Sequence, residues 1–331
     1  MCPSANGAKC IRAPTARNMT LNAKRPSIPV VAVVGTGVIG RSWVQVFIRA
    51  GCQTRIYDEN PEQIEKALTW LDQDLEAEQA DTRRSLVSVH TSLSDALKGA
   101  GYVQESGPEQ MEVKKAIYAR LDEAADPNAI LGSSTSAYDM SEIASGLSGA
   151  RRCIVAHPVN PPHVIPVVEI LPGAETDPEV VAQTSEFMTS VGQTPVLLNR
   201  YVPAFLLNRM QAAVIREAIS LVESGVADVD AVDAVIRDGL GLRWALMGPF
   251  AVADTNADGG IREYFTRYGQ AYKDCMDQLG PTPSFDAEMI ERLGRGTDAM
   301  SGNAPHSETR RWRDRLIRKI RDLKAADPRP D

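Results

Sequence analysis

No CxxC pair occurs in this chain, and its five cysteines (Cys2, Cys10, Cys52, Cys153 and Cys275) are scattered. Such spacing excludes a disulfide framework and a structural zinc site and fits a reducing cytoplasm. Histidine is scarce too. There are four in 331 residues, none at the spacing of a metal-binding helix, so no metal is expected. Long apolar runs are missing: the run near residues 28–40 is far too short to span a bilayer, so no membrane partner is expected. An excess of positive charge is missing as well. Lys and Arg number 36 against 43 Asp and Glu, a net charge of −7. That balance argues against nucleic acid or an acidic membrane surface as partner. It leaves an anionic small molecule open, because a cleft's local charge can differ from the total. Finally, no acidic residue precedes Asp58. Residues 1–27 carry five Lys/Arg, but their prolines and glycine spoil an amphipathic helix, so they read as a disordered extension rather than a transit peptide.

What is present is ordinary globular composition, 43% hydrophobic and 24% charged, in a chain long enough for two domains. From residue 30 onward, short β-branched runs alternate with helical patterns. Strands are expected at 30–34, 54–57, 87–89, 102–104, 130–132, 154–156, 164–171 and 195–198. Helices are expected at 38–50, from Pro61, and at 111–124 and 180–191. Strands alternating with helices imply an α/β domain built on a parallel sheet. Past residue 200 strand signals vanish and helical periodicity takes over at 204–224, 229–238, 261–278, 285–295 and 309–325. The expected architecture is therefore a Rossmann-type doubly wound sheet over 28–200, followed by an all-α domain over 201–331.

Val31-Ala-Val-Val-Gly35-Thr36-Gly37-Val38-Ile39-Gly40 is a GxGxxG that closes a strand and opens a helix. In that context it predicts a dinucleotide pyrophosphate over Gly35–Gly40, bound by the helix N-terminus. Asp58 ends the second strand, where a carboxylate accepts from ribose hydroxyls and repels a 2′-phosphate, so the cofactor is read as NAD rather than NADP. The same fingerprint serves FAD, but no second flavin signature is visible.

The segment from Cys153 to Ile170 carries the chemistry. His157 ends an apolar strand, at the edge that faces ligand in a parallel sheet. Glu169 sits among Val167, Val168 and Ile170, where a carboxylate is costly unless paired. His157, across a proline-rich loop, is its nearest plausible partner, and a carboxylate fixes an imidazole tautomer for proton exchange. A single histidine on a strand is more often structural; the acid and the glycine fingerprint together favour function. His163, within the loop, is read as surface or rim packing.

Four stretches carry a resemblance: Val34-Gly-Thr-Gly-Val-Ile-Gly-Arg-Ser-Trp43, Ser133-Ser-Thr-Ser136, Ile154-Val-Ala-His-Pro-Val-Asn-Pro-Pro162 and Gly239-Leu-Gly-Leu-Arg-Trp244. Together they make the chain resemble the L-3-hydroxyacyl-CoA dehydrogenase superfamily from about residue 30 to about 320, most closely its lambda-crystallin, or L-gulonate 3-dehydrogenase, branch. The resemblance implies an acid–base role for His157 with Glu169 as partner. It also implies that Ser136 and Asn208 hold the C3 oxygen of a hydroxy acid, that Asn160 lies near substrate, and that Glu109 and Lys114 line the nicotinamide side. A homodimer through the helical domain is implied as well.

The stretch Leu240–Phe250 departs from the glycine-rich turn of the acyl-CoA branch, which puts a thioester substrate in doubt. It also places Arg243 where it could capture a free carboxylate. A sugar acid such as L-gulonate is favoured. Carnitine stays open through Trp244, whose ring face attracts a quaternary ammonium, and a 3-hydroxyacyl-CoA remains a further alternative. A structural or NAD-sensing protein would need none of His157, Glu169, Ser136 and Asn208 together, and all four are here.

Overall fold

The computed structural model describes residues 30–74, 80–301 and 305–328; the extension expected over 1–27 lies outside them. Two compact units divide at Leu206. The first is an eight-stranded sheet in the order β3-β2-β1-β4-β5-β6-β7-β8. Its strands are β1 Val30–Val34, β2 Gln53–Tyr57, β3 Val87–Val89, β4 Tyr102–Glu105, β5 Ile130–Ser133, β6 Cys153–Pro158, β7 Val167–Pro172 and β8 Thr194–Leu197. Helices α1 (Val38–Arg49), α2 (Pro61–Asp74), α3 (Ala80–Arg84), α4 (Leu93–Leu97), α5 (Met111–Ala124), α6 (Met140–Ile143) and α7 (Pro178–Ser190) connect them.

The period-2 alternation of buried strands decides which side chain meets which layer. In β1, Val31 and Val33 pack with Trp43 and Phe47 of α1, whereas Ala32 and Val34 pack with Leu97, Tyr118 and Leu121 on the other face. Trp43 and Phe47 are fully buried and stack with ring centroids 5.3 Å apart. Both faces of the sheet are thus covered by helices, which is the doubly wound arrangement.

Two expectations are corrected. The sheet is not wholly parallel, because β7 runs antiparallel to β6. The 159–166 loop is too short for the crossover that a parallel neighbour needs, so the chain folds straight back. Residues 164–171 are not one strand either. The N–H groups of Val164 and Ile165 both bond to the Pro161 carbonyl in a turn, and the strand starts at Val167.

Before β6, Arg152 ties the end of α5 to the sheet. Its guanidinium donates to the Asp122 carbonyl at 2.8 Å and to Asp122 Oδ1 at 2.9 Å. Both side chains of this pair are buried. Burial alone would raise the Asp122 carboxyl, but bonds from Arg152, the Gly149 N–H and Ser148 outweigh it and hold the group below its ordinary value.

The second unit is helical: α8 Leu207–Glu223, α9 Val229–Ala234, α10 Gly241–Trp244, α11 Pro249–Thr255, α12 Gly260–Met276, α13 Ala287–Ser301 and α14 His306–Ala326. The helix expected from 204 starts only at Leu207, because Ala204 and Phe205 have φ of 64° and 53°. The helix expected over 229–238 instead runs on to Trp244 through a π-helical segment, Val235–Leu240. No helix among the described residues is long and apolar enough to cross a membrane.

Arg152→Met should cost about 3–5 kcal/mol, the usual result of leaving one buried charge unpaired, as read by urea unfolding at neutral pH. Because the folded Asp122 value is depressed, the stabilisation is complete above the unfolded carboxylate value of about 3.9. It is lost as pH falls through the folded value. The gap between wild type and variant should therefore narrow in strong acid to what the bonds of Arg152 to backbone carbonyls contribute; a gap that does not change with pH would contradict the assignment.

Candidate active site

The carboxyl ends of the parallel strands bring most of the candidate residues to one edge. At the end of β1, Gly35 has φ of +91° and donates its N–H to the Tyr57 carbonyl at 2.9 Å. A Cβ on Gly35 would lie 2.7 Å from the Ser106 backbone, and one on Gly40 would lie 1.8 Å from the Gly35 oxygen. Those two glycines let the turn close on itself. Gly37 differs: a Cβ there would meet nothing within 4 Å. Gly37 therefore borders open space in front of α1, whose first turn no side chain caps. An uncapped helix N-terminus beside open space is what a bound phosphate requires.

Asp58 is half-buried. Its Oδ2 accepts from the Thr36 N–H at 2.7 Å and from Thr36 Oγ1 at 3.1 Å, and its Oδ1 accepts from the Asn60 N–H at 2.9 Å. The carboxylate therefore locks the glycine loop onto the end of β2. Val38 and Ile39 open α1.

His157 and Glu169 face each other in register across β6 and β7. Glu169 is 1% exposed and its Oε2 lies 2.8 Å from His157 Nδ1. Its Oε1 accepts from the Leu206 N–H at 2.8 Å. An ionised carboxylate only accepts, so Nδ1 carries the hydrogen and Nε2 is the nitrogen available for proton exchange. The Phe205 ring stands edge-on to the imidazole, 5.4 Å between centroids.

A second network joins the ends of β4 and β5. The Ser136 N–H donates to Glu109 Oε1 at 2.8 Å and its hydroxyl at 3.3 Å, and Thr135 Oγ1 donates to the same oxygen at 2.7 Å. Burial pushes the Glu109 carboxyl up, but Thr135, Lys114 and Ser136 together hold it below its ordinary value. Lys114 Nζ lies 3.3 Å from Glu109 Oε2 and 3.0 Å from Glu105 Oε1. Ser134 Oγ accepts from Trp43 Nε1 at 3.1 Å and from Gln104 Nε2 at 2.7 Å, tying α1, β4 and β5 together behind this edge.

The structure thus gathers Gly35–Gly40 with Asp58, His157 with Glu169, and Ser136 with Glu109 and Lys114. Asn160 is exposed in the loop after β6. Asn208, in the first turn of α8, and Arg243, on α10, belong to the second unit. His163 is not at the surface: it is 7% exposed, with its ring edge-on to Trp70 at 5.1 Å and its carbonyl accepting from Arg49. Glu105, Ser133 and the Leu206 N–H went unread in the sequence. Glu105 did carry a signal, though weaker than that of Glu169: an acid closing the strand Tyr102-Val103-Gln104 at the edge where ligand is expected.

Residues 30–201 match the NAD binding domain of 3-hydroxyacyl-CoA dehydrogenase, and residues 205–297 match its C-terminal domain. A lambda-crystallin homolog of Bos taurus is 40% identical over 306 residues, covering 89% of this chain and 95% of that protein. An L-carnitine dehydrogenase of Streptomyces coelicolor is 35% identical over 297 residues, covering 87% and 92%. Among solved structures, an NAD+ dependent dismutase, the 5-dehydrogenase of 5-formyl-3-hydroxy-2-methylpyridine 4-carboxylic acid, superposes with a TM-score of 0.74 at 25% identity. That match covers 92% of this chain and 100% of the other.

Gly40→Ala should abolish NAD binding, since its methyl group would overlap the Gly35 carbonyl. Gly37→Ala should weaken binding while leaving the melting temperature unchanged, because its methyl group enters open space. Calorimetric titration with NAD+ beside a thermal melt separates the two. A Gly37→Ala protein that binds NAD+ as tightly as wild type would contradict the placement of the pyrophosphate.

Proposed function

Because the chain belongs to the 3-hydroxyacyl-CoA dehydrogenase family, and is thereby an NAD-dependent oxidoreductase, we propose that it oxidises the C3 hydroxyl of a small free 3-hydroxy acid to the 3-keto acid. An L-gulonate-like sugar acid is the favoured substrate. The observation that carries the reading is the His157–Glu169 pair. Glu169 is held on both oxygens, so the imidazole keeps one tautomer and one orientation, and Nε2 takes the hydroxyl proton as general base. When bound, NAD supplies the hydride acceptor at its nicotinamide ring, with the glycine loop, Asp58 and Glu109 as the residues of this chain that would hold it. By family resemblance Ser136 and Asn208 hold the C3 oxygen, the one hydroxyl hydrogen of Ser136 turning from Glu109 Oε1 to the substrate.

Arg243 supports a free acid. Its side chain is exposed and makes no hydrogen bond or ion pair among the described residues, whereas Arg237 on the same helical run is consumed by Asp238. A second reading, carnitine, is favoured by aromatic rings near this run. Trp244 is 38% exposed, and Tyr264, Phe265, Tyr268 and Tyr272 cluster on α12. Ring faces attract a trimethylammonium group.

NADH formation by wild type should be fastest with L-gulonate when L-carnitine and 3-hydroxybutyryl-CoA are assayed beside it. His157→Gln should lower kcat by about 10²–10⁴-fold with NAD+ affinity intact. Arg243→Met should raise KM for the acid by roughly tenfold or more, the worth of a lost charged hydrogen bond. Preferred turnover of the thioester would sink the free-acid reading.

We also propose a homodimer. Among the described residues of the second unit, Ile219, Val222, Ala253 and Met289 are the buried hydrophobics, while Phe250 is 75% and Val226 70% exposed. Helices that leave so much apolar surface uncovered need a partner, and a second copy is the partner the family resemblance implies. Light scattering at micromolar concentration should give twice the chain mass; a monomer would contradict it. Cys52, Cys153 and Cys275 are free, in keeping with the cytoplasm as the proposed location.

A further inference from the structure

Glutamine is unusual inside a buried strand, because its amide carries donors and an acceptor that all need partners away from water. Gln104 in β4 is 0% exposed, and Tyr102, two residues before it on the same face, is 2% exposed. Their side chains reach across β5. The register sets Gln104 beside Gly132 of that strand. A Cβ at Gly132 would lie 2.3 Å from Tyr102 Oη and 3.3 Å from Gln104 Oε1, so the glycine is what leaves them room.

The hydrogens of this network can be assigned. Gln104 Nε2 lies 2.7 Å from Ser134 Oγ and 3.3 Å from the Ala156 carbonyl oxygen. A carbonyl only accepts, so the amide nitrogen faces Ala156. Oε1 then faces the other way, where the Tyr102 hydroxyl donates to it at 2.7 Å. Burial pushes the Tyr102 phenol far above its ordinary value, so it stays a donor. Ser134 Oγ also accepts from Trp43 Nε1 at 3.1 Å, which leaves its own hydrogen for Ser106 Oγ at 2.9 Å. β5 ends at Ser133, level with Val155 of β6. No residue of β5 therefore stands opposite Ala156, and the Gln104 side chain meets the carbonyl that the shorter strand leaves behind. That carbonyl belongs to the peptide bond joining Ala156 to His157.

We propose that Gln104 is a positioning residue for the acid–base histidine. It holds the peptide plane from which His157 projects, continuing the sheet past the end of β5, and Tyr102 fixes the orientation of its amide. Glu169 orients the imidazole from the β7 side. Gln104 fixes the backbone beneath that ring from the β5 side. The acid–base role of His157 rests on the function proposed above, but the bond from Gln104 to the strand that carries His157 does not.

The test pairs Gln104→Met with Tyr102→Phe in the full-length protein. Gln104→Met strands the Ala156 carbonyl and the Tyr102 hydroxyl, so its melting temperature should fall. Tyr102→Phe keeps the ring and both donors of the amide, so it stays folded and carries the same test. In Gln104→Met, kcat with the hydroxy acid should fall by about tenfold, the effect of one hydrogen bond at the upper end of its usual worth. The fall in Tyr102→Phe should be smaller. KM for the acid should not move, because a displaced base is felt in the transition state alone. The chain has four histidines, so isotope-labelled histidine lets the Nδ1 proton of His157 be followed by NMR. Its exchange with solvent should be faster in both variants, and fastest in Gln104→Met.

Wild-type kcat together with wild-type exchange of that proton in both variants would overturn the proposal. A raised KM with kcat unchanged would overturn it too, by moving Gln104 from the base to substrate binding. A wild-type protein that turns over no 3-hydroxy acid would instead break the functional reading, and the exchange of the Nδ1 proton would still decide whether Gln104 holds His157.

Discussion

A carboxylate taken out of water must be met by donors, and this protein buries two of them at the carboxyl edge of its sheet. Glu105 and Glu169 are 0% and 1% exposed. Neither is tolerable in an apolar strand without full hydrogen bonding, so each draws in whatever donors the neighbouring segments offer. Glu169 takes His157 and the Leu206 N–H; Glu105 takes Lys114, Ser133 and the Gly107 N–H. The loops at this edge are held by those demands, which is how a functional surface made of loops acquires a fixed shape.

Asp58 applies the same logic at the glycine loop. It is less buried and bonds to Thr36 through both backbone and side chain. Its two oxygens are already engaged, so it shapes the loop before any ribose is present. Asp58 after β2, Glu105 at the end of β4 and Glu169 near the start of β7, opposite His157 of β6, therefore organise the edge. The turn back at 159–166 matters here, because it brings an acid from the next strand opposite the histidine.

Much of this was legible because physical cost leaves a mark in sequence. A charged residue amid Val167, Val168 and Ile170 demands a partner, and His157 was the nearest candidate. The glycines of the loop are forced by contacts under 3 Å at Gly35 and Gly40, so they stand out at their spacing. The antiparallel turn was illegible, since Val164 and Ile165 are as β-prone as the strand that follows, and only the bonds to the Pro161 carbonyl remove them from it. Glu105 escaped notice because its strand is short and its partner Lys114 lies on a helix, where lysine is ordinary. The buried position of that lysine belongs to tertiary packing, which helical periodicity does not encode.

The second unit shows how one glycine can redirect a helix without a visible break in pattern. The helical run from Val229 does not stop at residue 238. It widens through Val235–Leu240, and the Gly241 N–H closes the wide turn on the Ile236 carbonyl. A Cβ at 241 would lie 2.6 Å from that oxygen, so the widened turn requires glycine there. One extra residue in a turn rotates everything after it by about 100° relative to a regular helix. Arg237, within the widened segment, pairs with the adjacent Asp238, while Arg243, beyond it, is exposed and makes no such pair among the described residues. Gly241, within the stretch Leu240–Phe250 that departs in sequence from the acyl-CoA branch, is in the structure the residue that lets the helix widen just before Arg243.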